Sequence, residues 1–189
     1  MPTVIRPAWP ADAVVVSAIL REAAAWLDMR DETLWRADEL ETPAIAADVD
    51  TGLFWIADVD EVPSGVVRLQ RSDPDFWPEV PDGTSLFLHR LAVRRSAAAS
   101  GVSTALLRFA VERTRELGLE SLRLDCEAAR PKLRAIYERF GFFHHSDRQV
   151  GPYFVSRYVY NVKGRETAGR SAVRGDTGAG NSAVTARDH

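Results

Sequence analysis

Cysteine is nearly missing from this chain. Cys126 stands alone among 189 residues, which excludes an internal disulfide and every metal motif built on several thiolates. Long apolar runs are absent too: none exceeds about five residues, against the ~20 needed to cross a bilayer. Residues 1–10 contain no basic stretch followed by an apolar core, so export by a signal peptide is not expected. A surplus of basic charge is lacking as well. The 24 Lys and Arg against 27 Asp and Glu leave a net charge of −3, which argues against nucleic acid as a partner. These absences point to a cytoplasmic protein with no membrane partner. What is present, 46% hydrophobic and 27% charged residues, is the composition of an ordinary globular domain with one core.

The composition changes near Val162. Residues 164–189 contain no Leu, Ile or aromatic side chain, and their charge is nearly balanced. Such a segment buries too little apolar surface to offset its ordering entropy. Residues 1–163 are therefore expected to form one domain and residues 164–189 a disordered tail.

Within the domain, helix and strand signals alternate without an internal repeat. Residues 3–6 read as a short strand closed by Pro7 and Pro10. Asp12 suits the N-cap of a helix running to about Leu27, and a second helical piece lies between Thr33 and Asp48. Residues 52–58 and 65–71 read as strands joined by a hairpin, and residues 85–93 as a strand apolar on both faces. Val102, Leu106, Phe109 and Ala110 place one apolar stripe on a helix that Gly118 stops. A strand over residues 121–126 follows, then a helix opened by Pro131 and ended by Gly141, then two strands. The order β-α-α-β-β-β-α-β-α-β-β predicts an α/β (α+β) fold. It is a mixed, mostly antiparallel sheet of about seven strands flanked by about four helices.

The chemistry concentrates in residues 88–104, LHRLAVRRSAAASGVST, a strand, a turn of small residues, then a helix. The first turn of a helix leaves backbone N–H groups unpaired and carries partial positive charge, so a phosphate or diphosphate is its natural occupant. Arg94 and Arg95 can add charge at the edge. Tight packing of residues 97–101 explains the same small side chains equally well.

Over roughly residues 3–162 the chain resembles the GNAT superfamily of N-acetyltransferases. The resemblance rests on LAV (91–93), GVSTALL (101–107) and YERFGF (137–142). It implies that acetyl-CoA binds along Leu91, Ala92, Val93 and Arg94, with its diphosphate on Ser100, Gly101, Val102, Ser103 and Thr104. The family pattern Gln/Arg-x-x-Gly-x-Gly/Ala falls on Ala98, Gly101 and Ser103, so two of the three positions differ. The resemblance further implies that Tyr137 protonates the departing thiolate and that a backbone N–H near Leu91 polarises the thioester. An Asn seven residues before the Tyr is common in the family, and Arg130 stands there instead. Helical spacing alone would equally make Tyr137 a packing residue beside Leu133, Ile136 and Phe140.

The acceptor amine must lose a proton, and His89, Asp125 and Glu127 lie at the ends of the fourth and fifth strands, which the resemblance implies splay apart. His89 has the most suitable ordinary pKa, although a single His on an apolar strand also serves as a hydrogen-bonded core residue. Trp35, Trp77 and Tyr153 are expected to wall the acceptor, with packing under loops as the other reading. The acidic group around Asp38, Glu39 and Glu41 suits a cationic amine or a solvated face. His144 and His145 alternate along a strand, so no shared metal site is expected. The expected function is transfer of an acetyl group from acetyl-CoA to a primary amine of a small molecule, by direct attack in a ternary complex. No metal is needed and a homodimer is compatible. The alternative is an acyl-CoA-binding sensor or interaction domain without turnover.

Overall fold

The computed structural model describes residues 3–30, 32 and 35–162; the segment expected to form the tail lies outside these. Seven strands build one sheet: β1 (Thr3–Pro7), β2 (Phe54–Val59), β3 (Val62–Gln70), β4 (Ser85–Val93), β5 (Ser121–Glu127), β6 (Phe143–Val150) and β7 (Tyr153–Asn161). Four α-helices flank it: α1 (Ala13–Asp28), α2 (Thr42–Asp50), α3 (Val102–Glu116) and α4 (Pro131–Phe140). The expected element order and fold class are both found. The spatial order is β1-β2-β3-β4-β5-β7-β6. Every pairing is antiparallel except β4 with β5.

The two faces of the sheet carry separate cores. Val102, Leu106, Leu107 and Ala110 of α3 pack on Val67, Leu86, Leu88, Leu122 and Leu124. On the opposite face Val16, Ile19 and Leu20 of α1 meet Phe54, Ile56 and Val66. The alternation of a strand and the stripe of a helix deliver these residues to facing surfaces. At Gly65 the close approach of α3 requires a missing side chain. A Cβ there would sit 2.7 Å from Val102 Cγ1 and 3.2 Å from the Ala92 carbonyl. The N-terminus of α3 is thereby seated directly on β3 and β4.

Two local expectations change. The β2–β3 turn is tighter than the hairpin segment suggested, because Asp60 and Glu61 both adopt positive φ (50° and 67°), the geometry of a two-residue type I′ connection. Asp12 precedes α1, but its carboxylate does not cap that helix. It accepts the Trp9 N–H at 2.8 Å and pairs with Arg6 at 2.7 Å. Arg6 also reaches Asp58 at 2.8 Å, so the group ties β1, β2 and the chain entering α1 together. Among the described residues, no helix is long and apolar enough to cross a membrane.

Candidate functional site

The parallel ladder is short. It runs from Ser85↔Ser121 to Leu88↔Leu124 and then ends. Beyond it β5 stays with β7 as far as Glu127↔Val155, while β4 stays with β3. Between the pairs Arg68↔His89 and Val66↔Ala92, two residues of β4 oppose one of β3, and Arg90 takes φ 50°. This bulge bends β4 away from β5. A cleft of about 670 Å³ opens where the strands part.

Leu91, Ala92 and Val93 line the cleft from β4, and Asp125, Cys126 and Glu127 from β5. Tyr137 reaches it from α4. Its ring is 6% exposed and packs on Phe142 and Tyr158, with centroids 5.9 and 6.2 Å away. Burial, with Cys126 and Asp125 close by, pushes the Tyr137 hydroxyl well above the ordinary range of a phenol. The group therefore stays protonated at neutral pH. Cys126, held at about 12 by burial, stays a thiol and is a poor nucleophile.

His89 projects from β4 toward two carboxylates. Its Nε2 lies 3.0 Å from the Gln70 amide nitrogen and 3.2 Å from Asp73 Oδ2, and its Nδ1 lies 4.0 Å from Asp125 Oδ1. Gln70 is oriented by Arg68, whose guanidinium donates to Gln70 Oε1 and pairs with Asp48 at 2.9 Å. The Gln70 amide nitrogen is thereby turned toward His89 Nε2. Asp73 comes from the β3–β4 connection, where its Oδ1 accepts the Phe76 N–H at 3.3 Å. Asp73, His89 and Asp125 each offer one ligand atom within 4.8 Å of the others. Among the described residues they are the group that can hold a cation.

Burial is the largest influence on Asp125 and raises its pKa from 3.8 to about 6. Facing it, His89 of β4 and Arg157 of β7 favour its charge while Asp73 opposes it. Near neutral pH the folded protein therefore holds this carboxylate ionised at a cost the unfolded chain does not bear. Below about pH 4 it is neutral in both states and the cost vanishes. Asp125→Asn accordingly raises the unfolding free energy by about 1–3 kcal/mol near neutral pH, and the gain fades as pH falls through 6 toward 4. Melting curves of both proteins across that range check this. A gain independent of pH would show that Asp125 is not held charged at a cost.

Beyond the C-terminal end of β4, Gly101 adopts φ 88° and α3 begins, with Ala105 N–H donating to Gly101 O at 2.9 Å. The amides of Val102, Ser103 and Thr104 precede any helical partner. Ser103 and Thr104 also border a second hollow of about 590 Å³ with Arg108 and Arg139. Two expected contributors are otherwise engaged. Ser100 directs both its amide and its hydroxyl to Ala97 O, at 3.3 and 2.6 Å. The Arg94 side chain is drawn to Glu22 at 2.8 Å and to Pro63 O at 2.9 Å.

Of the expected acceptor residues, Trp35 and Tyr153 line the cleft, joined by Phe76 and Phe154. Trp77 does not. It is 1% exposed and packs with Phe87 and Val159, because the β3–β4 connection folds its largest apolar side chain under itself. His144 pairs with Asp147 at 2.8 Å and His145 lies against Trp77, so the two histidines do serve different surroundings. Arg130 pairs with Glu32 at 3.0 Å at the cleft wall. Sequence reasoning missed Asp73 and the Arg68–Gln70 pair. Their signal was a polar alternation inside an apolar strand, pointing to the cleft face, and an Asp-Pro turn that read as ordinary loop.

A mixed sheet whose one parallel pair parts around a lined cleft defines an acetyltransferase fold. The chain matches the model of the acetyltransferase (GNAT) family over residues 19–142 and belongs to that family. A curated relative, the uncharacterized N-acetyltransferase YesJ of Bacillus subtilis (strain 168), is 28% identical over 142 residues, covering 72% of this chain and 79% of YesJ. A GNAT-family acetyltransferase from Listeria monocytogenes superposes with a TM-score of 0.70 at 19% identity, covering 84% of this chain and 94% of that one. The PaiA N-acetyltransferase of Thermoplasma acidophilum, solved with coenzyme A, gives 0.66 at 16% identity, covering 85% of this chain and 100% of its own.

Proposed function

We propose that this chain transfers an acetyl group from acetyl-CoA to the primary amine of a small molecule by direct attack in a ternary complex. The observation that carries this reading is the parting of β4 and β5 after Leu88 and Leu124, with a protonated phenol and an imidazole both lining the gap. The donor set fits the coenzyme. Unpaired amides of Val102, Ser103 and Thr104 suit a diphosphate, and the free edge of β4 at Leu91, Ala92 and Val93 suits an extended amide-bearing arm. The coenzyme supplies a thioester carbonyl open to attack; the rest is work for this chain's residues. A backbone N–H at Leu91 is a fixed dipole for the carbonyl oxygen and needs no reorganisation as charge develops. His89, flanked by Asp125, takes one proton from the ammonium form of the acceptor, and Glu127 offers a second outlet at the cleft edge. The neutral nitrogen forms the C–N bond as the C–S bond breaks. The sulfur takes the Tyr137 proton, and the nitrogen's second proton restores the phenol.

Acetyl-CoA at 100 times its Kd is expected to stabilise the protein by ~2.7 kcal/mol, and free thiol is expected only when a suitable amine is also present. Thermal melting and a thiol-reactive dye check the two halves. Stabilisation without thiol release across a broad amine panel would favour an acyl-CoA sensor instead, a reading encouraged by Ala98 and by the engagement of Arg94 and Ser100 elsewhere. No stabilisation at all would remove the coenzyme from this protein.

A further inference from the structure

We propose that Asp73 and Asp125 form an ammonium receptor beside His89, and that the acceptor is a primary amine carried on an uncharged, aromatic or apolar body. The inference rests on the acetyl-transfer reading above and names its substrate class.

The charges of the cleft do not cancel evenly. Its cations are mostly paired: Arg68 with Asp48 at 2.9 Å, Arg130 with Glu32 at 3.0 Å, and Arg90 through Nη2 with Glu39 at 3.3 Å, its Nη1 being buried without a partner. The Asp73 side chain is 5% exposed, and its Oδ2 is buried without a hydrogen-bond partner. Asp125 Oδ1 is in the same condition. A buried carboxylate oxygen left unpaired carries its full desolvation cost, and two of them beside one imidazole compound it. A group with three N–H donors and a positive charge removes that cost at one stroke. The three acceptor atoms of Asp73, His89 and Asp125, all within 4.8 Å of one another, match such a group. The imidazole among them is the place to which one of its protons can pass.

The same inventory disfavours a carboxylate next to the reacting amine. Arg95, whose guanidinium pairs with no carboxylate among the described residues, stacks 4.1 Å from the Trp26 ring. It lies six residues beyond His89, past the end of β4. An α-amino acid would bring its carboxylate against Asp73 and Asp125, where the facing cation, Arg157, is already engaged by Glu79 at 2.7 Å and by Ser146. The cleft also contains the aromatics Trp35, Phe76, Tyr153 and Phe154, and Tyr153 and Phe154 are 41% and 52% exposed. These suit a flat or apolar body rather than a second charge.

The test uses the full chain with acetyl-CoA and three probes: 2-phenylethylamine, phenylalanine and spermidine. Thiol release is expected to give 2-phenylethylamine a kcat/KM at least about 10²-fold above phenylalanine, the scale of a like-charge clash in a desolvated site, and above spermidine. Calorimetry of 2-phenylethylamine on the protein saturated with coenzyme A reads the receptor without turnover. Asp73→Asn should weaken that binding at least about 10-fold, as should Asp125→Asn, while coenzyme A affinity changes less than about twofold. Phenylalanine or spermidine turned over at least as well as 2-phenylethylamine would overturn the inference and leave acetyl transfer standing. Unchanged amine binding in both variants would do the same. Amine binding that requires Mn²⁺ or Zn²⁺, and disappears with a chelator, would also overturn it by giving the three ligand atoms to a metal. Thiol release from no amine, with acetyl-CoA bound, would overturn both readings together.

Discussion

Replacing Tyr137 by Phe should lower turnover by about 10²-fold, the low end for general acid catalysis, and leave acetyl-CoA affinity and melting temperature close to their starting values. The ring packs on Phe142 and Tyr158 through carbon, so the variant keeps the packing and loses only the proton. Burial holds that hydroxyl protonated far above neutral pH, which makes it a donor to a developing thiolate rather than an anion. Steady-state rates with a saturating amine, beside calorimetry of coenzyme A, separate chemistry from binding. An unchanged rate would take Tyr137 out of the mechanism and return it to the core.

Trp77→Ala should cost about 3–5 kcal/mol of unfolding free energy, the range for emptying a fully buried aromatic site. The indole is 1% exposed and contacts Phe87. Arg123 and Arg157 approach its ring at 4.8 and 4.6 Å, adding cation–π attraction that the alanine forfeits. The effect should reach the cleft as well: the backbone N–H of Trp77 donates to Asp73 O at 2.8 Å, and without the indole to seat this segment the turn that aims Asp73 at His89 loosens. Urea unfolding measures the first consequence and the KM for the amine the second. A loss below about 1 kcal/mol would mean that the connection is not held by this side chain.

Parts of the molecule were legible because their signals are local. The stripe on α3, the stop at Gly118, the Pro131 start and Gly141 end of α4, and the small residues before Val102 all act within one or two turns of chain. Tyr137 in its motif and a parting of the fourth and fifth strands near Leu91 were expected through the family resemblance; the structure ends their ladder at Leu88. The misplaced residues show where local signals stop. Trp77 stands in a loop sequence with Pro and Asp on either side, yet tertiary folding buries it against Val159, distant in sequence. Arg94 had the composition of an anion site, and a carboxylate 72 positions earlier, Glu22, took its charge. Asp73 carried no motif, and only the return of the β3–β4 connection over the sheet sets it 3.2 Å from His89.

By itself the sequence determined the element order, the two apolar faces and the small-residue turn at the head of α3, since periodicity and backbone preference are properties of neighbouring residues. Tertiary structure alone decided which charges remain unpaired. Whether a carboxylate is neutralised depends on side chains brought to within a few ångströms from tens of residues away. Arg68 found Asp48 and Arg90 found Glu39, while buried oxygens of Asp73 and Asp125 were left facing an imidazole across an open cleft.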